Sequence, residues 1–138
     1  MEIRDYVQQA HEDPSTENIE ALWRAVFTLK AWYFVPASEE EGPARPMVTV
    51  LDGEHWIPAF TGVRTYRSFV EETGREPEGG ELHGLLLDPG EAMQRIVEVR
   101  EAVTGVVFNP GTPIAFRAPV DALEEYAHHF EIPKFSGS

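Results

Sequence analysis

The sequence predicts one α/β domain of the α+β type, in which three to four helices pack on a single mixed β-sheet of about five strands. Amphipathic helical segments alternate with short apolar runs, and an Asp-Gly pair stands between two of those runs. No composition break divides the 138 residues, a length that corresponds to one domain with one core. We therefore expect a single domain over residues 1–138, with its core at about 15–130 and an extension at each end.

The first predicted helix begins near residues 13–17, where capping oxygens, a proline and an acidic residue favour a helix N-terminus. The aromatic and β-branched run 31–35 then predicts a short buried strand. Breakers and like charges over residues 37–46 predict a mobile loop. The apolar face of the helix, at the i, i+3, i+4, i+7 and i+8 positions, consists of Ile19, Leu22, Trp23, Val26 and Phe27.

A β-hairpin is predicted over residues 47–60, because Asp52-Gly53 supplies the positive φ angles of a two-residue turn. Pro58 cannot donate to a sheet ladder, so the second strand should have an edge or a bulge there.

The remaining elements follow from the same periodicities. They are a helix with Tyr66, Phe69 and Val70 inward, a flexible connector at 73–80, a strand at 85–87, and a helix with Met93, Ile96 and Val97 inward. Then come strands at 106–108 and 114–116, and a last helix, opened by Pro119, with Leu123, Tyr126, Ala127 and Phe130 inward. The tail after Ile132 should fray.

Charge and composition restrict the classes of partner. Eleven lysines and arginines against 24 aspartates and glutamates give a formal charge of -13, which repels phosphate backbones and anionic lipids. No apolar stretch approaches the roughly 20 residues of a membrane span, and the first residues lack the pattern of a signal peptide. The chain has no cysteine, which fits a reducing compartment. We therefore expect a cytoplasmic protein that binds neither nucleic acid nor membranes.

The sequence contains no motif of the common hydrolases, nucleotide-binding proteins or zinc peptidases. His128-His129 is the one histidine pair, and adjacent side chains on a helix point about 100° apart, so they cannot chelate one ion. Carboxylate pairs are interpreted as solvated helix faces, His55 as a cross-strand contact, and the three tryptophans as core residues. We therefore predict no catalytic residue, no metal site and no cofactor, in a protein that is not an enzyme.

Three apolar runs end in similar turns, Phe60-Thr61-Gly62, Asp88-Pro89-Gly90 and Asn109-Pro110-Gly111. If the runs are parallel neighbours, the turns line one end of the sheet, where open α/β sheets place ligands. Thr61 and Asp88 could then cap the following helices, while Arg64 adds a positive charge. The preferred interpretation is that these residues serve the turns and the helix caps. The candidate binding residues are Thr61, Arg64, Asp88, Asn109 and Gly111.

Three segments carry a resemblance to a known family: residues 22–35 (LWRAVFTLKAWYFV), Asp52-Gly53 with residues 58–61 (PAFT), and residues 106–111 (VVFNPG). In order and spacing they resemble the N-terminal domain of the SseB family, a bacterial group named for an enhanced serine sensitivity phenotype. The resemblance implies a compact α/β domain of unresolved biochemical role. Family members often carry a second, C-terminal domain, whereas this chain ends soon after Phe130, so functions of that domain are not expected here.

Three hypotheses about function follow. The leading one is a non-enzymatic protein-interaction or regulatory module, whose protein partner is unidentified and for which a homodimer is one open assembly. The alternative is a small-molecule-binding domain or an unrecognised hydrolase that uses the turn cluster at Thr61, Asp88 and Asn109. A third hypothesis, a secretion-chaperone or immunity-like protein, shares the acidic composition.

Overall fold

A computed structural model describes residues 2–35, 47–72 and 85–132. The loop predicted at 37–46, the connector predicted at 73–80 and the tail predicted after Ile132 lie outside these residues. The described helices are α1 (Ile3–Glu12), α2 (Thr16–Phe27), α3 (Val63–Glu72), α4 (Pro89–Glu98) and α5 (Val120–His129). The described strands are β1 (Trp32–Phe34), β2 (Thr49–Leu51), β3 (Glu54–Phe60), β4 (Leu85–Leu87), β5 (Gly105–Phe108) and β6 (Phe116–Pro119).

The strands form one mixed sheet in the order β4-β1-β3-β5-β6, with β2 paired to β3. β3 and β5 are parallel, and the other pairs are antiparallel. Because β1 is antiparallel to both β3 and β4, the strands β3, β4 and β5 all run in the same direction. Their carboxyl ends therefore lie at one edge of the sheet. The predicted fold class, an α+β arrangement around a mixed sheet, is confirmed.

Both residues of the predicted hairpin turn have positive φ angles, 52° at Asp52 and 80° at Gly53, which confirms the two-residue turn between β2 and β3. Pro58 lies where β3 has no antiparallel partner, because β1 ends and β2 begins at that point. There the carbonyl of Val35 accepts a hydrogen bond from the amide of Met47 at 2.7 Å. The break between β1 and β2 thus accommodates the missing amide of Pro58.

The two faces of the sheet carry different helices. Alternate strand residues such as Phe34, Ile57 and Phe108 join one core cluster with buried residues of α1, α2, α4 and α5. Phe60, on the other face, packs with Tyr66 of α3 in a second cluster. This segregation follows the period of two along a strand, and it leaves α3 as the described helix of the second face. Among the described helices, none is long and apolar enough to cross a membrane.

Two elements differ from the sequence-based expectation. Residues predicted as an N-terminal extension form α1, whose Val7 and Ala10 are buried against α2, so five helices are described rather than three to four. Ile3, Tyr6, Val7 and Ala10 have the spacing of an amphipathic helix with a polar opposite face, so this helix was open to prediction and the expectation of an extension was wrong. The strand predicted at 114–116 begins only at Phe116 and continues to Pro119.

We predict that Gly105→Ala destabilises the fold by about 3 kcal/mol, measured by urea unfolding, because a side chain there overpacks the sheet. A Cβ on Gly105 would lie 2.6 Å from Pro119 Cα and 2.9 Å from the Ala118 carbonyl carbon, both of them backbone atoms. Gly62→Ala is the matched control, since nothing lies within 4 Å of its added Cβ. Equal stability of the two variants would contradict the β5–β6 register.

Candidate functional site

A crevice opens at the carboxyl ends of the parallel strands β3 and β5. After β3 the chain enters α3 on one face of the sheet, whereas the segment after β5 places Ile114 against the core of the other face. Adjacent parallel strands that send their connections to opposite faces leave a crevice between them, which is the usual ligand position in open α/β sheets.

Asn109 directly follows β5 at this edge of the sheet and is fully buried. Its Oδ1 accepts a hydrogen bond from the amide of Thr61 at 3.1 Å and lies 2.8 Å from the hydroxyl of Thr65. Its Nδ2 donates to the Thr61 hydroxyl at 3.1 Å. The backbone amide of Asn109 donates to the carbonyl of Ala59, which extends the β3–β5 ladder by one step. The side chain thus joins the end of β5 to the start of α3.

The three predicted turns lie at the same edge of the sheet, and two of them meet. Thr61 and Asn109 are in contact, as the turn hypothesis expected. Asp88 is separated from them because β1 lies between β4 and β3, and its carboxylate caps α4 by accepting a hydrogen bond from the amide of Glu91 at 2.9 Å. The cap predicted for Asp88 is confirmed. Gly111 has a φ of 79°, which gives it a backbone role in its turn.

Thr61 does not have the capping role that was predicted for it. Helix α3 begins at Val63, and the Thr61 hydroxyl bonds to Asn109 instead of to a helix amide. The hydroxyl of Thr65, in the first turn of α3, lies 3.1 Å from the carbonyl of Gly62. Both threonine hydroxyls are therefore engaged in fixing the turn.

A cleft of about 780 Å³ lies beside the segment 61–65. Its walls are α1, the second half of α2, residues 61–65 and Ile114. Thr61 and Arg64 line it, whereas Asp88, Asn109 and Gly111 do not. The structure thus places two of the five candidate residues at an open surface. It adds α1 and α2 as walls, which the turn pattern did not indicate.

Three guanidinium groups line the cleft, and they differ in what surrounds them. Arg4 lies 3.7 Å from the carboxylate of Glu2. Arg24 lies 3.1 Å from the carboxylate of Glu20, and its guanidinium stands over the Phe130 ring at 5.1 Å. Arg64 forms no ion pair with any carboxylate in the described part of the chain. Among the described lining residues, Arg64 is the charged group without an ion-pair partner.

A second cleft, of about 470 Å³, lies between α2 and α5. Glu20 and His129 line it, and their side chains are 3.0 Å apart. The hydrogen bonds from His129 and Arg24 lower the pKa of the Glu20 carboxyl below its ordinary value. Burial raises the pKa of the neighbouring Tyr126 hydroxyl. His129, predicted as a solvated helix end, is exposed and also contacts this carboxylate.

Within residues 2–35, 47–72 and 85–132, no group of three or more His, Asp or Glu side chains could hold a metal ion. No protein-family model and no curated protein matches the chain. The SseB resemblance therefore remains a prediction, and the inferences about function that follow depend on the geometry.

We predict that Asn109→Ala destabilises the protein by about 3–4 kcal/mol in urea unfolding. The change leaves the partly buried groups of Thr61 and Thr65 without a hydrogen bond, at about 1–3 kcal/mol, and places alanine at a φ of 53°. Asn109→Gly loses the same hydrogen bonds but tolerates that φ, so it should be about 1 kcal/mol more stable than Asn109→Ala. Wild-type stability of Asn109→Gly would show that the carboxamide does not hold the crevice.

We predict that His129→Ala raises the pKa of Glu20 toward its ordinary value, measured by NMR titration of the side-chain carboxyl carbon. A lowered folded-state pKa contributes stability above the unfolded pKa, and this contribution is lost as the pH falls through the folded value. His129→Ala should therefore flatten the acid side of the stability profile. His11→Ala removes an exposed histidine of α1 and serves as control. An unchanged Glu20 titration in His129→Ala would refute the contact.

Proposed function

We propose that the chain is a non-enzymatic regulatory module that binds its effector in the cleft between α1, α2 and the start of α3. The supporting observation is the position of this cleft at the carboxyl ends of the parallel strands β3 and β5. Ligands of open α/β sheets bind at such crevices. The volume of about 780 Å³ falls within the range of about 300–1,000 Å³ typical of small-molecule sites.

The chemistry of the lining supports binding as the role of the site. Apolar side chains such as Tyr6, Leu29 and Ile114 form much of the surface, and the charged groups stand among them. Small-molecule sites typically combine apolar walls with a few polar groups that fix orientation. The hydroxyls of Thr61 and Thr65 contact the Asn109 carboxamide, so they act in the framework of the site.

The hydrolase form of the turn-cluster hypothesis receives no support from the geometry. It requires Thr61, Asp88 and Asn109 to act together, but β1 separates Asp88 from the other two. A nucleophile also needs a base within hydrogen-bond reach, whereas the Thr61 hydroxyl contacts an amide. The binding form of the hypothesis needs only the cleft.

A protein partner is the second candidate, and one observation favours it. Val48 and Val50 are 43% and 59% exposed on and beside β2, which pairs with β3 alone among the described strands. Alternation along a strand places both valines on one face. An exposed apolar strand at a sheet edge can pair with another chain, including a second copy.

Under this proposal Val50→Lys weakens self-association of the protein, measured by sedimentation equilibrium, because a charged side chain on an edge strand opposes pairing with another strand. Unchanged association in Val50→Lys would count against the proposal.

The cleft is tested by a metabolite screen that reads the melting temperature. A ligand at about 100 times its Kd stabilises by about 2.7 kcal/mol, which for a domain of this size raises the Tm by about 10 °C. Ala25→Leu adds bulk to the cleft wall and should abolish the shift. Ala102→Leu, an exposed change elsewhere, should retain it.

Hits that stabilise the wild type and Ala25→Leu equally would place the binding site outside the cleft. Absence of any shift across a broad library would count against the regulatory proposal as a whole.

A further inference from the structure

We propose that the effector is a small amphiphilic anion, whose carboxylate or phosphate group binds Arg64 while its apolar body lies against the wall formed by α1 and α2. This inference rests on the proposed function and names the chemical class of the ligand. The observation that supports this inference is the guanidinium of Arg64, which lines a largely apolar cleft and has no ion-pair partner among the described residues.

The charge of the cleft is opposite to that of the chain. The chain has a formal charge of -13, yet among the described residues the cleft lining contains three arginines and a single carboxylate, that of Glu2. Arg4 is paired with Glu2 and Arg24 with Glu20, so Arg64 remains as the unpaired charge among the described lining residues. Most of the protein surface repels an anion, whereas the cleft attracts one. The charge distribution therefore favours the cleft as the place where an anion binds.

Arg64 is the arginine that is available to a ligand. Arg4 and Arg24 already face carboxylates, at 3.7 Å and 3.1 Å, and an incoming anion would have to compete with them. Arg64 has no such competitor among the described residues. It lies in the first turn of α3, where the positive end of the helix dipole has the same sign. A guanidinium group binds carboxylates and phosphates through two parallel hydrogen bonds.

The apolar part of the ligand follows from the size and lining of the cleft. A volume of about 780 Å³ is far larger than an inorganic anion requires. The wall contributed by α2 includes Ala21 and Ala25, whose small side chains leave space, with Leu29 beyond them. Tyr6 of α1 and Ile114 add further apolar surface. A ligand that buries an apolar chain here gains affinity in proportion to the area removed from water.

The test measures the affinities of five probes by NMR titration of residues 61–65 at 0.15 M salt. Octanoate and octyl phosphate carry both features, octan-1-ol carries the apolar chain alone, and acetate and inorganic phosphate carry the anion alone. We expect one or both amphiphilic anions to bind at least about tenfold more tightly than octan-1-ol and the two small anions. The tighter of the two identifies the anionic group.

Arg64→Glu and Arg67→Glu form a matched pair, because both residues are exposed on α3, both changes alter the net charge equally, and Arg67 does not line the cleft. We expect Arg64→Glu to weaken amphiphile binding by about tenfold or more, and Arg67→Glu to change it by less than about twofold. Arg64→Gln keeps a neutral polar side chain and should also bind weakly. It serves as the second variant if Arg64→Glu has a lowered melting temperature.

Equal affinities for octan-1-ol and octanoate, both reduced by Ala25→Leu, would overturn the anionic class while leaving the cleft as the binding site. Equal loss of affinity in Arg64→Glu and Arg67→Glu would reduce the effect to net charge and overturn the role of Arg64. Failure of every probe to shift the resonances of residues 61–65 would also overturn the inference, and the metabolite screen would still decide the proposed function independently.

Discussion

The shape of the crevice depends on Asn109, because its buried side chain joins the end of β5 to the start of α3 through hydrogen bonds. Where parallel strands end and their chains turn to opposite faces, backbone polar groups lose their ladder partners and need others. The carboxamide provides an acceptor for the Thr61 amide and a donor for its hydroxyl, while the main chain takes a φ of 53°. Asparagine tolerates this conformation better than most side chains. One residue therefore combines the turn with the contact across the crevice.

In this arrangement, the residues that hold the turn together are different from the residue that is exposed to solvent in the cleft. Asn109 and the hydroxyl groups of Thr61 and Thr65 are engaged with one another below the cleft. Arg64, one residue before Thr65, is exposed above them because consecutive residues of a helix point about 100° apart. Fixing Thr65 thus fixes the turn from which Arg64 projects. The hydrogen bonds among Asn109, Thr61 and Thr65 and the exposed position of Arg64 are therefore consequences of the same local structure.

The sequence supported a meeting of Thr61 and Asn109 only as a hypothesis, which required their apolar runs to be parallel neighbours, as β3 and β5 are. It could not exclude Asp88, since the insertion of β1 between β3 and β4 is a non-local pairing with no local signal. The walls of the cleft were missed for a related reason. An extension is predicted where α1 forms, so the sequence pattern does not indicate that Arg4 and Tyr6 reach the same cleft as Arg24. Local patterns predicted the elements, whereas the site depends on which elements meet.

The relative roles of the arginines depend on their neighbours and not on their residue type. Arg24 contacts Glu20 on one side and the ring of Phe130 on another, and Glu20 in turn contacts His129 of α5. If the guanidinium of Arg24 turned fully into the cleft, it would lose its contacts with Glu20 and the Phe130 ring. Its charge therefore serves mainly to join α2 to α5. Exposed pairs of this kind stabilise a protein only weakly, yet their contribution is comparable to that of a single hydrogen bond to a ligand. Arg64 has no comparable contacts to lose among the described residues, and its full charge is available to a ligand.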